Sequence, residues 1–264
     1  LMDVTVSPHI AVITSFFPEH LDYHGTLDAY KEAKTHIARF QVKDDLIFFN
    51  SLFEEAKEIA GMSKGKKIRF SADDCPVALD EIRLIGEHNR SNMAAATLVT
   101  RQLGVSEDVI VKVLKAFRGL PHRLQSLGLH HGIEWIDDAI STTPESTIAA
   151  LDALGDRVVT VILGGQDRGN EFSGLAKRIK GSSVKTVILF PGSGPRIREA
   201  IGDAHADVCF QEADTMEKAV ELAKKHTMQG GICLLSTASP SYNMFRNFEE
   251  KGDAFARSIG KNVL

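Results

Sequence analysis

The chain has 264 residues, 43% of them hydrophobic and 25% charged, with a formal net charge of −4. That make-up belongs to a folded globular protein of one or two domains, and excludes a disordered or fibrous chain. The negative balance argues against a general nucleic-acid binder, no apolar run reaches the length of a membrane span, and three widely spaced cysteines without a CxxC fit reduced thiols, so a cytoplasmic protein with no nucleic-acid or membrane partner is expected.

Strand and helix alternate from the start. An apolar run predicts a strand over 10–16 and a helix over 26–40. Between them lies Pro18-Glu19-His20-Leu21-Asp22-Tyr23-His24-Gly25, which places two His, a Glu and an Asp at a strand-to-helix turn. Open α/β sheets bind ligands at such turns, and His with carboxylate can hold a divalent metal. A polar loop that only caps the helix is an equal reading. A strand over 45–50, a helix over 52–61 and a short strand over 67–70 follow, then a strand or turn over 83–86. A helix over 91–103 and another over 107–117, N-capped by Ser106, complete the first part. Asn89 and Asn92, three apart near a helix start, share a face and suit a purine edge. Helix capping explains the same residues.

Arg118-Gly119-Leu120-Pro121-His122-Arg123 breaks the helical pattern, and a domain boundary is placed there, giving 1–118 and 119–264. The second part is predicted as strands over 133–137, 158–163, 184–190, 207–210 and 232–235. Helices over 144–154, 172–180, 195–201, 215–227 and 248–259 alternate with them. Such alternation implies a parallel sheet with crossover helices on both faces. Three loops sit at strand C-terminal ends. Asp137-Asp138-Ala139-Ile140-Ser141-Thr142-Thr143-Pro144 brings two carboxylates before a helix that Thr143 caps. Gly164-Gly165-Gln166-Asp167-Arg168-Gly169 offers close backbone approach and a cation. Ser236-Thr237-Ala238-Ser239-Pro240-Ser241-Tyr242 carries hydroxyls suited to a small anion. If their strands are neighbours, the three loops form one polar pocket. Gly192-Ser193-Gly194-Pro195 follows a strand and starts a helix, so its backbone N–H groups could meet an anion, with a plain helix start the favoured reading; no G-x-x-x-x-G-K-[ST] phosphate loop is present.

In this order PEHLDYHG, YKEAK, GEHNRSN, FRGLPHR, IDDAISTTP, GGQDRG and LLSTASPSYNMFRNFEEKGDAF resemble the Mur ligase family over nearly the whole chain. The likeness is strongest to the branch that adds glutamate to UDP-N-acetylmuramoyl-L-alanine in peptidoglycan synthesis. It implies an α/β chain: part of an ATPase-type central domain, then a complete Rossmann-like, doubly wound C-terminal domain. It implies a ligase using ATP and Mg2+, which forms an amide bond through an acyl phosphate. His20 is implied as a catalytic metal ligand, and Lys34 as a catalytic lysine that ligates metal once carbamylated. Asn89, Asn92, Arg123 and Asp138 are implied nucleotide contacts, and Thr142, Arg168, Ser241 and Phe248 the glutamate pocket. The family's phosphate loop, second metal-binding glutamate and UDP-holding domain normally lie upstream of PEHLDYHG, where only 17 residues precede Pro18. The chain is therefore expected to be a fragment, inactive alone, whose partner is the missing N-terminal part of the same protein. Arg168 stands where relatives carry lysine, Ile140 where many carry lysine, and Asn243 where aspartate is common. These departures leave open D- or L-glutamate as the incoming amino acid. A non-catalytic nucleotide- and glutamate-binding module is the rival from another class.

Overall fold

At the Gly–Pro break the chain divides into two units, Leu1–Arg118 and Gly119–Leu264. The structure is a computed structural model that describes residues 5–17, 21–82, 84–202 and 208–260.

The first unit holds a parallel sheet of β1 (Ile10–Ile13), β2 (Leu46–Asn50) and β3 (Lys66–Phe70), in that spatial order. Side chains alternate across a strand, so successive residues of β2 enter different cores. Ile47 packs with Ala11 and Ile13 of β1, Tyr30 and Ala38 of α2 (Leu27–Arg39) and Ile59 of α3 (Glu54–Gly61). Phe48 packs on the other face with Phe70 of β3, Met93 of α4 (Glu87–Gln102), and Ile110 and Leu114 of α5 (Glu107–Ala116). Thr26 opens α2 by accepting from Ala29 N at 3.1 Å.

Several boundaries move. A short helix, α1 (Leu21–His24), precedes α2. Residues 84–86 belong to no strand, and Arg83 lies outside the described residues. The helix expected from 91 begins at Glu87, because Gly86, at φ 98°, makes the turn into it. Ser106 is the N-cap of α5, as expected, but its hydroxyl makes no capping bond.

The second unit contains β4 (Gln125–His130), β5 (Ile133–Asp137), β6 (Val158–Leu163), β7 (Thr186–Leu189), β8 (Cys209–Glu212) and β9 (Ile232–Leu235). Their spatial order is β4-β5-β9-β6-β7-β8. The expected all-parallel sheet needs one correction: β4 was not foreseen and runs antiparallel to β5. His131 and Gly132 join the two at φ 53° and 76°, both left-handed, as a tight hairpin requires. The other pairs are parallel. Trp135, Cys233, Ile162 and Ile188 pack with residues of α9 (Met216–His226) and α10 (Phe248–Ile259). Helices α6 (Pro144–Leu154), α7 (Ser173–Lys180) and α8 (Gly194–Ile201) lie side by side on the remaining face. All six residues of β6 are buried, each large aliphatic among them contributing about 1.5–3 kcal/mol.

Candidate functional site

The last strand, β9, inserts between β5 and β6. The C-terminal ends of three neighbouring parallel strands therefore lie together, and the three loops singled out by sequence converge there. Cross-strand bonds stitch them. Gly164 N donates to Thr237 O at 2.9 Å, Gln166 N to Pro240 O at 2.6 Å, and Ser193 N to Gly165 O at 2.8 Å. The glycines permit this approach. A Cβ on Gly165 would lie 2.2 Å from Pro240 O, and one on Gly192 would lie 2.1 Å from Gly165 O.

Beneath the loops sits a buried polar network. Asp138, 3% exposed, accepts from Leu124 N at 3.1 Å, Ser141 Oγ at 2.5 Å and Ser236 Oγ at 2.8 Å. Burial nevertheless pushes its carboxyl up to about 6. Asp137 accepts from Ala139 N at 2.9 Å and pairs with His122 Nδ1 at 2.8 Å. That hydrogen bond raises the His122 pKa above its ordinary value, with Asp253 and Glu249 adding attraction. Lys251, fully buried on α10, donates to Thr237 Oγ1 at 2.6 Å. Burial pulls its ammonium down to about 7, opposed by attraction to Asp137 and Asp138. Buried charges survive only where paired and hydrogen-bonded, so the two carboxylates, the imidazole and the ammonium stand as one unit. Three non-glycine residues on this network, His122, Leu124 and Ala238, hold left-handed φ of 61°, 46° and 54°. Each costs on the order of 1–3 kcal/mol, which the surrounding bonds must offset.

The glutamate-pocket residues implied by the resemblance fall around the rim of this unit. Thr142 is half-buried and immediately precedes the cap Thr143, which accepts from Ser146 N at 3.3 Å. Arg168 is half-buried, its guanidinium 5.7 Å from the centre of the Tyr242 ring. The Phe248 ring meets the His122 ring edge-on at 6.1 Å. Ser241 is 8% exposed, and its Oγ has no hydrogen-bond partner among the described residues; nor does Gln166 Oε1. Both atoms lie on the converging loops, where a polar ligand or water would satisfy them. The hydroxyls of Ser236, Thr237 and Ser239 do not serve an anion, being spent on Asp138, on loop carbonyls and on Ser193. Arg123 is exposed, and Asp138 has about one of its four acceptor directions left. A separate cavity of about 950 Å3, lined by Leu189, Gly192, Arg198, Asp214 and Lys218 among others, includes none of the expected site residues.

In the first unit, Asn89 is buried and donates to Ile85 O at 2.8 Å, while Asn92, exposed, donates to Asn89 Oδ1 at 3.4 Å. The two amides do share a face, with Asn92 the one presented to solvent. Lys34 is exposed on α2, its ammonium 5.2 Å from the Tyr30 ring centre. His20 lies outside the described residues. Among the described residues no three His, Cys, Asp or Glu side chains gather to hold a metal. These residues alone do not make a Mg2+ cage.

Sequence reasoning passed over Lys251 and His122. Both stand in quoted motifs, and Lys251 shares the buried stripe of α10 with Phe255 and Ile259; a lysine on an apolar stripe was the available signal.

Residues 122–239 match the Mur ligase glutamate ligase domain, and residues 1–78 the Mur ligase middle domain. The chain is 35% identical to a UDP-N-acetylmuramoylalanine--D-glutamate ligase of Streptococcus suis, over 96% of this chain and 59% of that protein. It is 34% identical to one of Bacillus cereus, over 97% and 60%. The chain thus spans about 60% of the length of the curated relatives it matches. In fold it is similar to MurF of Acinetobacter baumannii, with TM-score 0.73, 20% identity, and 98% and 61% of the two chains covered. MurF of Thermotoga maritima in complex with ADP gives 0.71 at 16% identity, over 96% and 62%.

Proposed function

Because this chain belongs to the Mur ligase family, carrying its middle and glutamate ligase domains, we propose that it is part of an ATP-dependent ligase that joins D-glutamate to UDP-N-acetylmuramoyl-L-alanine. ATP phosphorylates the substrate carboxylate, the glutamate amine attacks the acyl phosphate, and phosphate leaves as the amide forms. The observation that carries this reading is the match of residues 122–239 to the glutamate ligase domain, the stretch whose loops converge at the ends of β5, β9 and β6. Similarity to D-glutamate ligases over nearly the whole chain supports it.

In this reading Arg168 holds a glutamate carboxylate, Ser241 and Thr142 donate hydroxyl hydrogen bonds, and Phe248 walls the pocket. Arg123 meets nucleotide phosphate and Asp138 uses its remaining acceptor direction on the ribose. Asn89 and Asn92 flank the adenine, with Asn92 making the contact and Asn89 holding it. The second unit's site and the middle domain's residues act in one enzyme, placed in the cytoplasm where such nucleotide precursors are made. His20 and a carbamylated Lys34 would hold Mg2+, which would supply positive charge to the phosphate oxygens.

ATP and UDP recognition rest partly on the length of the relatives that this chain does not span, so this chain alone does not turn over. The test is glutamate-dependent phosphate release from ATP with UDP-N-acetylmuramoyl-L-alanine, using this chain and the same chain extended by its upstream coding sequence. Release by the extended protein with D-glutamate, and none by this chain, is expected. Preference for L-glutamate would move the assignment to the rival amino acid, which the Arg168, Ile140 and Asn243 departures keep open. Ligand binding without release by the extended protein would make it a binding module.

A further inference from the structure

Lys251 costs the fold its desolvation and is used by none of the roles above. Its surroundings say what it does. The Nζ donates to Thr237 Oγ1 at 2.6 Å. A threonine hydroxyl has one proton, and with Lys251 as its donor that proton goes onward, to Ser239 O at 2.9 Å in preference to Ser141 O at 3.3 Å. The onward bond spans Ala238, whose φ of 54° is left-handed without glycine's freedom. Beyond it Pro240 O accepts from Gln166 N at 2.6 Å, and Ser241 follows. The chain Lys251–Thr237–Ser239 therefore braces a strained turn that aims the orphaned serine. The ammonium also faces Asp137 and Asp138, the two carboxylates under the same loops, while Asp137 is shared with His122.

We propose that Lys251 is a positioning residue of the amino-acid pocket: through Thr237 it holds the strained Ala238 turn and so sets the loop that carries Ser241. This rests on the ligase reading only for the identity of the ligand. The bracing stands on the bonds above.

The test uses this chain and two variants, Lys251→Met, which keeps a stem of similar length and removes the donor, and Lys251→Arg, which restores a donor. Amide hydrogen exchange reads the loop without any ligand. In Lys251→Met the Gln166 and Gly164 amides, whose acceptors are Pro240 O and Thr237 O, should exchange at least tenfold faster than in wild type. Strand amides of Val161 and Ile188 should stay within threefold, and Lys251→Arg should recover most of the protection. Unchanged Gln166 exchange overturns the proposal. So does equal acceleration of strand and loop amides, which marks a residue that only stabilises the domain. If Lys251→Met does not fold, Thr237→Val cuts the same brace at its middle and should give the same selective pattern; a uniform one, or none, overturns it. D-glutamate titration of the same samples, followed at the Ser241 amide, should weaken at least tenfold in Lys251→Met. If the wild-type chain shows no glutamate response, the pocket's assigned ligand fails, while exchange still decides the role of Lys251.

Discussion

Replacing a helical glycine with alanine usually stabilises, by roughly 0.5–1 kcal/mol. Gly252, inside α10, is expected to reverse that sign. A Cβ built there would lie 2.0 Å from His122 Nδ1 and 2.6 Å from Asp137 Oδ2. Neither atom can retreat at low cost. The imidazole is held on a backbone with φ 61°, and the Asp137 side chain is 1% exposed and bonded on both oxygens. Gly252→Ala must therefore part the His122–Asp137 pair. Overpacking costs about 1–3 kcal/mol, and loss of a charge-assisted hydrogen bond about 1.5–3 kcal/mol. Less the helix gain, the net destabilisation is about 2–5 kcal/mol. Urea unfolding at pH 7 measures it as a fall in midpoint at unchanged slope. Gly174→Ala in α7 is the control, since its Cβ would meet only Ile148 Cδ1, at 3.7 Å, and it should be neutral or mildly stabilising. A Gly252→Ala protein as stable as wild type, with the control behaving as stated, would refute the steric reasoning.

Asp138 should leave its mark on the pH dependence of stability. Its folded carboxyl titrates at about 6 against about 3.9 unfolded, so the folded state holds the proton more tightly. The resulting stability is complete below about pH 4 and is lost as pH rises through about 6. The stability difference between wild type and Asp138→Asn, followed by urea melts, should thus shrink by about 2–3 kcal/mol from pH 4 to 7; a flat difference would count against it. The three thiols should separate by burial. Cys209 is exposed, while Cys75 and Cys233 are buried, and desolvation raises the Cys233 pKa. A thiol reagent at pH 8 should label Cys209 rapidly in the native chain and the other two only after denaturation.

The alternation of helix and strand was legible because the central strands, such as β2, β6 and β9, are short apolar runs and five helices end at a glycine. The three site loops were legible for the same reason: they close strands, where polar residues stand out. What escaped was set by conformation or by distant partners. The β4–β5 hairpin turns on His131-Gly132, and a histidine at positive φ is no turn signal of the Asn-Gly kind. The start of α4 was read at a serine because Ser and Asn are the usual caps, whereas Gly86 made the turn by backbone freedom alone. Lys251 and His122 could be seen as letters but not as a network, because their partners lie far off in the chain: Asp137 is fifteen residues from His122 and Thr237 fourteen from Lys251. That the Ser236, Thr237 and Ser239 hydroxyls turn inward, leaving Ser241 orphaned, is a question of side-chain direction that spacing does not decide.

The place of β9 in the sheet has a consequence for how the second unit comes into being. The strand between β5 and β6 follows all the others of its sheet in chain order among the described residues, and Ser236 reaches Asp138 across 98 residues of chain. Until β9 arrives, β5 and β6 share no ladder, and an emerging chain presents a sheet open along its middle. Folding must await that late, non-local insertion, which favours slow kinetics and a sticky intermediate with two unpaired edges. Closing the gap completes the core and draws the three loops together in a single event. A half-folded second unit would therefore have no pocket at all, and a chaperone or protease would meet it before any substrate did.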